Sequence, residues 1–221
     1  MTEPKLPKMI AHHEAGHAVA QVVLGFDTNG IELNESERNR ATARFTIPTP
    51  MLESSKETPA AKRLLYGKLI MTYYAGPCAE MAFSGLSGSP GEQGDRQEAW
   101  NLVFHICNAG YKNGDYVDPV AQAGAMNSLL EKLWNRTYFM VRTGRFQIAV
   151  AALAAEGLTH GAVGPERTAE IVATALLKDS ERTHPFRQQD HSGSIVTSPL
   201  VATSIVSRCS ASTSIPNRGF P

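Results

Sequence analysis

The 221 residues carry 21 Lys and Arg against 21 Asp and Glu, with 42% hydrophobic and 7% aromatic residues, a balance that fits one ordinary soluble domain with room for a tail. Zero net charge and the lack of any Lys/Arg run leave no electrostatic footprint for nucleic acid, so no nucleic-acid partner is expected. The longest apolar run, Ile148 to Ala155, falls far short of the roughly 20 residues that cross a bilayer. No signal-like apolar segment follows Met1. Cys78, Cys107 and Cys209 are scattered and form no CxxC pair, which argues against a disulfide framework and for a reducing cytoplasm.

In chain order, LPKMIAHHEAGHAVAQVVLGF (Leu6 to Phe26) predicts a helix, with Pro7 suited to its first turn and Gly25 to its stop. Asn29 to Leu33 and Ala41 to Ile47 are rich in β-branched or alternating residues and predict two strands, the second closed by Pro48 and Pro50. Helical pattern resumes from Pro59 to Tyr74. Gly76-Pro77 then predicts a break and a fresh helix to Phe83. Ser84 to Gly94 is dense in Gly and Ser and predicts a loop, after which apolar periodicity restarts through Trp100, Leu102, Val103 and Ile106. Asp95 is therefore expected near a helix N-terminus.

Asp118-Pro119 predicts a capped start for a long helical region to Glu156, with a bend at Thr143-Gly144 and a stop at Gly157. A last helix is expected from Pro165 to Leu177. Residues 191 to 221 hold eleven Ser or Thr and a single aromatic, Phe220, so 178 to 221 is expected to be a disordered tail. The expected fold class is mainly α (α+β): a helical domain over 1 to 177 with a small sheet.

His13-Glu14-Ala15-Gly16-His17 fits H-E-x-x-H within the first helix. Residues four apart share a helical face, so the two imidazoles can converge on one metal ion, with Glu14 facing the water that the ion activates for hydrolysis. A helix this apolar must be buried, and burying two His and a Glu without partners would cost several kcal/mol, which favours a metal site over two solvated histidines. A catalytic zinc needs a third protein ligand. The candidates are the acidic and His residues outside the first helix, and Asp95 stands out because it follows a Gly-rich loop and opens an apolar helix, although an N-cap role is the commoner one for Asp there. His12 points about 100° away from the His13/His17 face, and His12, His105, His160, His184 and His191 are expected to be structural or solvated. Cys78, Cys107, Trp100 and Trp134 are expected to be packing residues.

HHEAGHAVA (His12 to Ala20) resembles the zinc-binding helix of the FtsH-type metalloproteases, the proteolytic half of the membrane-bound ATP-dependent proteases. ATARFTIPTP (Ala41 to Pro50) is similar to that family's substrate-edge strand, and AGPCAEMAFSG (Ala75 to Gly85) to its Gly-rich turn and Ala-Glu-Glu helix. GEQGDRQEAWNL (Gly91 to Leu102) resembles the segment whose Asp is the third zinc ligand, and EGLTHGAVGPERTAEIVATAL the closing helices. The resemblance covers about Pro7 to Leu177, and its matching order implies Asp95 as the third ligand beside His13 and His17. It departs from the family at Pro77-Cys78-Ala79-Glu80-Met81, which keeps Glu80 alone of the usual charged residues, as an orienting carboxylate or a solvated one. No GxxxxGK[ST] and no membrane-spanning run occur in the 221 residues.

The reading is a zinc metalloendopeptidase with one zinc ion on His13, His17 and Asp95 and with Glu14 as general base. It is expected to act on unfolded or flexible polypeptides, or on chains supplied by a separate ATPase. Full-length members of the family assemble as rings, which leaves oligomeric state open here. The alternative is a non-catalytic, zinc-stabilised adaptor module of the same fold.

Overall fold

Small side chains place α1 (Leu6–Leu24) in the middle of the protein: Ala11 and every residue from His13 to Gln21 are buried, as befits a helix packed on several faces. The helix ends as predicted at Gly25, whose φ of 81° carries a left-handed turn closed by Phe26 N donating to the Gln21 carbonyl at 2.8 Å. The computed structural model describes residues 6–33, 41–42, 58–86, 90–108 and 118–182. Among these residues the fold is mainly helical with a small antiparallel sheet, and no helix is long and apolar enough to cross a membrane.

After α1 come β1 (Ile31–Leu33) and β2 (Ala41–Thr42), and then α2 (Pro59–Ser84), α3 (Pro90–Asn108), α4 (Pro119–Val141) and α5 (Gly144–His160). The chain continues into β3 (Ala162–Val163) and α6 (Pro165–Arg182). The sheet order is β2-β1-β3, both pairs antiparallel, with Glu32 opposite Thr42 on one side and Ala162 on the other. The rest of the predicted strand, 43 to 47, lies outside the described residues. β3 escaped the sequence reading because two residues carry no periodicity.

Several boundaries differ from expectation. The predicted break at Gly76-Pro77 does not occur, and α2 runs straight through Pro77. The reason is burial: every residue from Leu69 to Glu80 is buried. Stopping a helix there would strand four carbonyls and restarting it four amides in the core, whereas continuing through proline loses one hydrogen bond. Similarly, α3 starts at Pro90, so Gly91 to Gly94 are helical and Asp95 sits in the second turn rather than at the N-cap. Pro90 suits a first position, and Arg96 Nε donates to Glu92 Oε1 at 2.7 Å one turn earlier.

The long helical region from Asp118 is two helices, α4 and α5. Asp118 caps the first as predicted, accepting from Val120 N at 3.0 Å. Gly157 does not stop α5, which continues to His160 and is capped by Gly161. A side chain at 157 would meet Ile31 Cδ1 at 2.7 Å, so this glycine seats the sheet against α5. α6 extends five residues past the predicted end at Leu177, which makes 178–182 helical rather than tail. Residues 183–221 lie outside the described ones.

Two apolar clusters fill the interior. One joins α1 to α5, α6 and the sheet around Val19, Phe146, Leu153 and Val172, and the other joins α2, α3 and α4 around Leu69, Ile70, Val103 and Met126. Trp134 packs against both, as expected of a core residue. Trp100, expected in the core, is 37% exposed instead, because Ala99, Leu102, Val103 and Ile106 already provide the buried face of α3.

α1 packs closely on α2 at Gly16. A Cβ on Gly16 would lie 2.6 Å from both the Ala75 carbonyl oxygen and Ala79 Cβ. Gly16→Ala is therefore expected to cost about 1–3 kcal/mol through overpacking, against the ~1 kcal/mol that Ala gains over Gly in an open helix. Urea denaturation of the two proteins measures the difference.

Candidate metal centre

The packing of α2 against both α1 and α3 brings His13, His17 and Asp95 together, with one ligand atom from each lying within 4.8 Å of the others. His13 Nε2 and His17 Nε2 are 3.1 Å apart, and Asp95 Oδ2 is 3.0 Å from the first and 3.3 Å from the second. All three side chains predicted as ligands thus meet at one point, and the two histidines are buried.

Each imidazole is oriented from behind. His13 Nδ1 donates to Glu80 Oε2 at 2.9 Å, and His17 Nδ1 donates to the Thr72 carbonyl at 2.8 Å. These bonds fix the ring protons on Nδ1 and turn both Nε2 lone pairs toward Asp95. Glu80 is therefore an orienting carboxylate and not a solvated one.

Gly76 makes room for the second ring, since a Cβ there would overlap the His17 imidazole. The sequence reading missed Thr72 and Gly76. A backbone carbonyl leaves no trace in residue type, and Gly76 beside Pro77 has the local signature of a helix break.

Three acceptors facing one another call for a positive charge. Asp95 Oδ2 is buried and lacks a hydrogen-bond partner of good geometry, while the Nδ1 atoms of both rings are taken by Glu80 and the Thr72 carbonyl. A single proton can bridge only one pair. A cation among the three satisfies all of them, and their separations of 3.0 to 3.3 Å match the ~3.3 Å edge of a tetrahedron with zinc-length bonds. The residues present therefore fit a metal ion of the kind that imidazole and carboxylate select.

Electrostatics in the metal-free chain lead to the same conclusion. Burial works against a charge on His13, yet the close contact with Asp95, the hydrogen bond to Glu80 and the charges of Asp95 and Glu14 outweigh it and push its pKa up to about 10. Burial likewise opposes the Asp95 carboxylate, and the charge of His17 with contacts to both rings overcomes it and holds the pKa below the ordinary value. Glu14, the predicted base, is buried one residue beyond His13.

Other predicted bystanders behave as such. His12 bonds the Lys8 carbonyl through Nδ1 at 2.7 Å and stacks on Phe83, and His105 and His160 are exposed. Cys78 is buried and Cys107 half-buried. His184, His191 and Cys209 lie outside the described residues. Arg96, next to Asp95, is held by Glu92 and by the Trp134 ring at 5.1 Å, which ties the ligand-bearing turn of α3 to α4.

Two outcomes follow. Because the folded His13 value lies above the unfolded one of 6.5, its contribution to metal-free stability is complete below pH 6.5 and is lost as pH rises toward 10. Thermal melts of chelator-treated protein should thus decline in midpoint across that range, whereas zinc-loaded protein should gain, since metal binding displaces the proton. Gly76→Ala should weaken zinc affinity ~10- to 100-fold by displacing the His17 ring. Gly67→Ala, whose Cβ would meet only Leu133 at 3.9 Å, should leave it unchanged in a competition titration.

Among known proteins, no family model matches this sequence and no curated protein matches it significantly.

Proposed function

We propose that this chain is a zinc metallopeptidase of FtsH type that hydrolyses peptide bonds in unfolded or flexible polypeptides. The observation that carries the proposal is the convergence of the His13 and His17 Nε2 lone pairs and Asp95 Oδ2 in a buried site whose histidine tautomers are fixed from behind. His13, His17 and Asp95 would hold the ion. Zinc bound to two His and one carboxylate supplies Lewis acidity toward a carbonyl and a water acidic enough to react near neutral pH.

The remaining roles belong to the chain itself. Glu14 takes the proton of the attacking water and delivers it to the departing amine nitrogen, the part that H-E-x-x-H assigns to its Glu. Glu80 keeps the His13 proton on Nδ1, and the Thr72 carbonyl does the same for His17, so that both Nε2 atoms stay available as ligands. β2, at the edge of the sheet, supports binding of an extended substrate strand through backbone hydrogen bonds, with little side-chain selectivity. No P-loop occurs in the 221 residues. ATP-driven unfolding of a stable substrate, which takes about 5–15 kcal/mol, is therefore not something these residues supply.

Glu14→Gln tests the assignment. Cleavage of an unfolded protein by zinc-loaded chain should fall by ~10²-fold or more, while zinc content by atomic absorption stays at the wild-type level. Retained zinc with no cleavage by either protein would favour the zinc-stabilised adaptor reading.

A further inference from the structure

A cavity of about 520 Å³ opens where α2 crosses α4 beside the C-terminal ends of α1 and α3. Its apolar lining comes from Leu24, Leu64, Met71, Ile106, Leu129 and Leu133. None of these is a residue of the metal centre, and Leu24 lies seven positions past His17, ~10 Å farther along α1. The volume falls within the range of small-molecule sites, roughly 300–1,000 Å³.

The ionisable side chains around the cavity, apart from the Cys107 thiol, are all cationic: Arg63, Lys68 and Arg136. Lys68 Nζ is committed to the Leu24 carbonyl at 2.9 Å, where it caps the end of α1. Arg63 and Arg136 form no ion pair among the described residues, and both are exposed. Leu64, on the same wall, is 64% exposed. An apolar trough with two uncommitted guanidiniums complements a ligand that has one anionic head and an apolar body.

The walls decide which such ligand fits. They are helices, whose interior backbone amides and carbonyls are used within the helices themselves, and the carbonyl that ends α1 is taken by Lys68. An extended peptide laid there would bury amides without partners, at a cost that an alkyl chain does not incur. Gly67 keeps the floor open: a Cβ added there would meet nothing nearer than Leu133 Cδ2, at 3.9 Å. We propose that this cavity binds a straight-chain fatty acid, its alkyl chain along Met71, Leu129 and Leu133 and its carboxylate on Arg63 and Arg136.

Calorimetric titration of the full chain with octanoate, decanoate and dodecanoate, below their micellar concentrations, tests the assignment. Saturable one-to-one binding that tightens ~4-fold per methylene is expected, with dodecanol weaker than dodecanoate. The double variant Arg63→Gln/Arg136→Gln should weaken dodecanoate ~10-fold or more and leave dodecanol unchanged. Gly67→Leu, which fills the floor from a position where helix propensity favours it, should abolish binding of both while helicity and zinc content stay constant.

Affinity independent of chain length, dodecanol as tight as dodecanoate, or an apolar peptide with a free C-terminus bound in preference would each overturn the proposal. Should Gly67→Leu fail to fold, undiminished dodecanoate binding by the arginine variant would overturn it equally. Because the metal centre shares no residue with the cavity, loss of peptidase activity in Glu14→Gln bears on the one proposal and fatty-acid titration on the other.

Discussion

The contact between α1 and α2 is the constraint on which the rest of the protein depends. Gly16 brings the first helix onto the Ala75 carbonyl and Ala79, and Gly76 accepts the His17 ring where any side chain would stand. At that spacing, the far nitrogen of His13 reaches Glu80 and that of His17 reaches the Thr72 carbonyl. Wider spacing would leave two imidazoles buried without partners, a cost of several kcal/mol. Packing and ligand orientation are thus one geometric fact, set by two residues with no side chain.

The site accumulates electrostatic tension that the apolar surroundings cannot relieve. Three acceptor atoms within 3.3 Å of one another, largely withdrawn from water, repel unless a cation lies among them. The metal-free chain answers by holding a proton on His13 far above its usual range, a stand-in with one charge where a zinc ion brings two. Cys78, buried on α2 with its thiol pushed up to about 12 first by burial and then by Glu92, is not among the three residues that converge. Only nitrogen and carboxylate oxygen are offered at the centre, which suits a metal that keeps a position open for chemistry.

The differences between expected and observed elements share a physical origin. Gly76-Pro77 and Gly157 read locally as helix ends, because glycine and proline are poor in helix interiors. In the folded chain each lies inside a helix, where a neighbour leaves no room for a side chain: the His17 ring at Gly76 and Ile31 at Gly157. Pro90 reads as part of a loop when Gly and Ser surround it, yet the Glu92–Arg96 pair and the Trp134 ring hold the following turn helical. Asp95 gains from this, since a second-turn position on a packed helix presents its carboxylate more rigidly than a loop would.

Residue type and spacing along the chain were enough to name His13, Glu14 and His17 and to place them on one buried helix, since the i, i+4 relation is a property of the helix itself. They also determined the mainly helical class, the Gly25 and Asp118 termini and the two strands before α2. The choice of Asp95 as third ligand and of Glu80 as an orienting carboxylate came from the sequence only through a resemblance, and tertiary structure decided that Asp95 stands opposite the histidines, that Glu80 and the Thr72 carbonyl orient them, and that β3 completes the sheet. Those relations join residues far apart in the chain, 67 positions for His13 and Glu80 and 55 for His17 and Thr72. Local periodicity holds no information at such separations; only the packing of α1 against its neighbours brings them together.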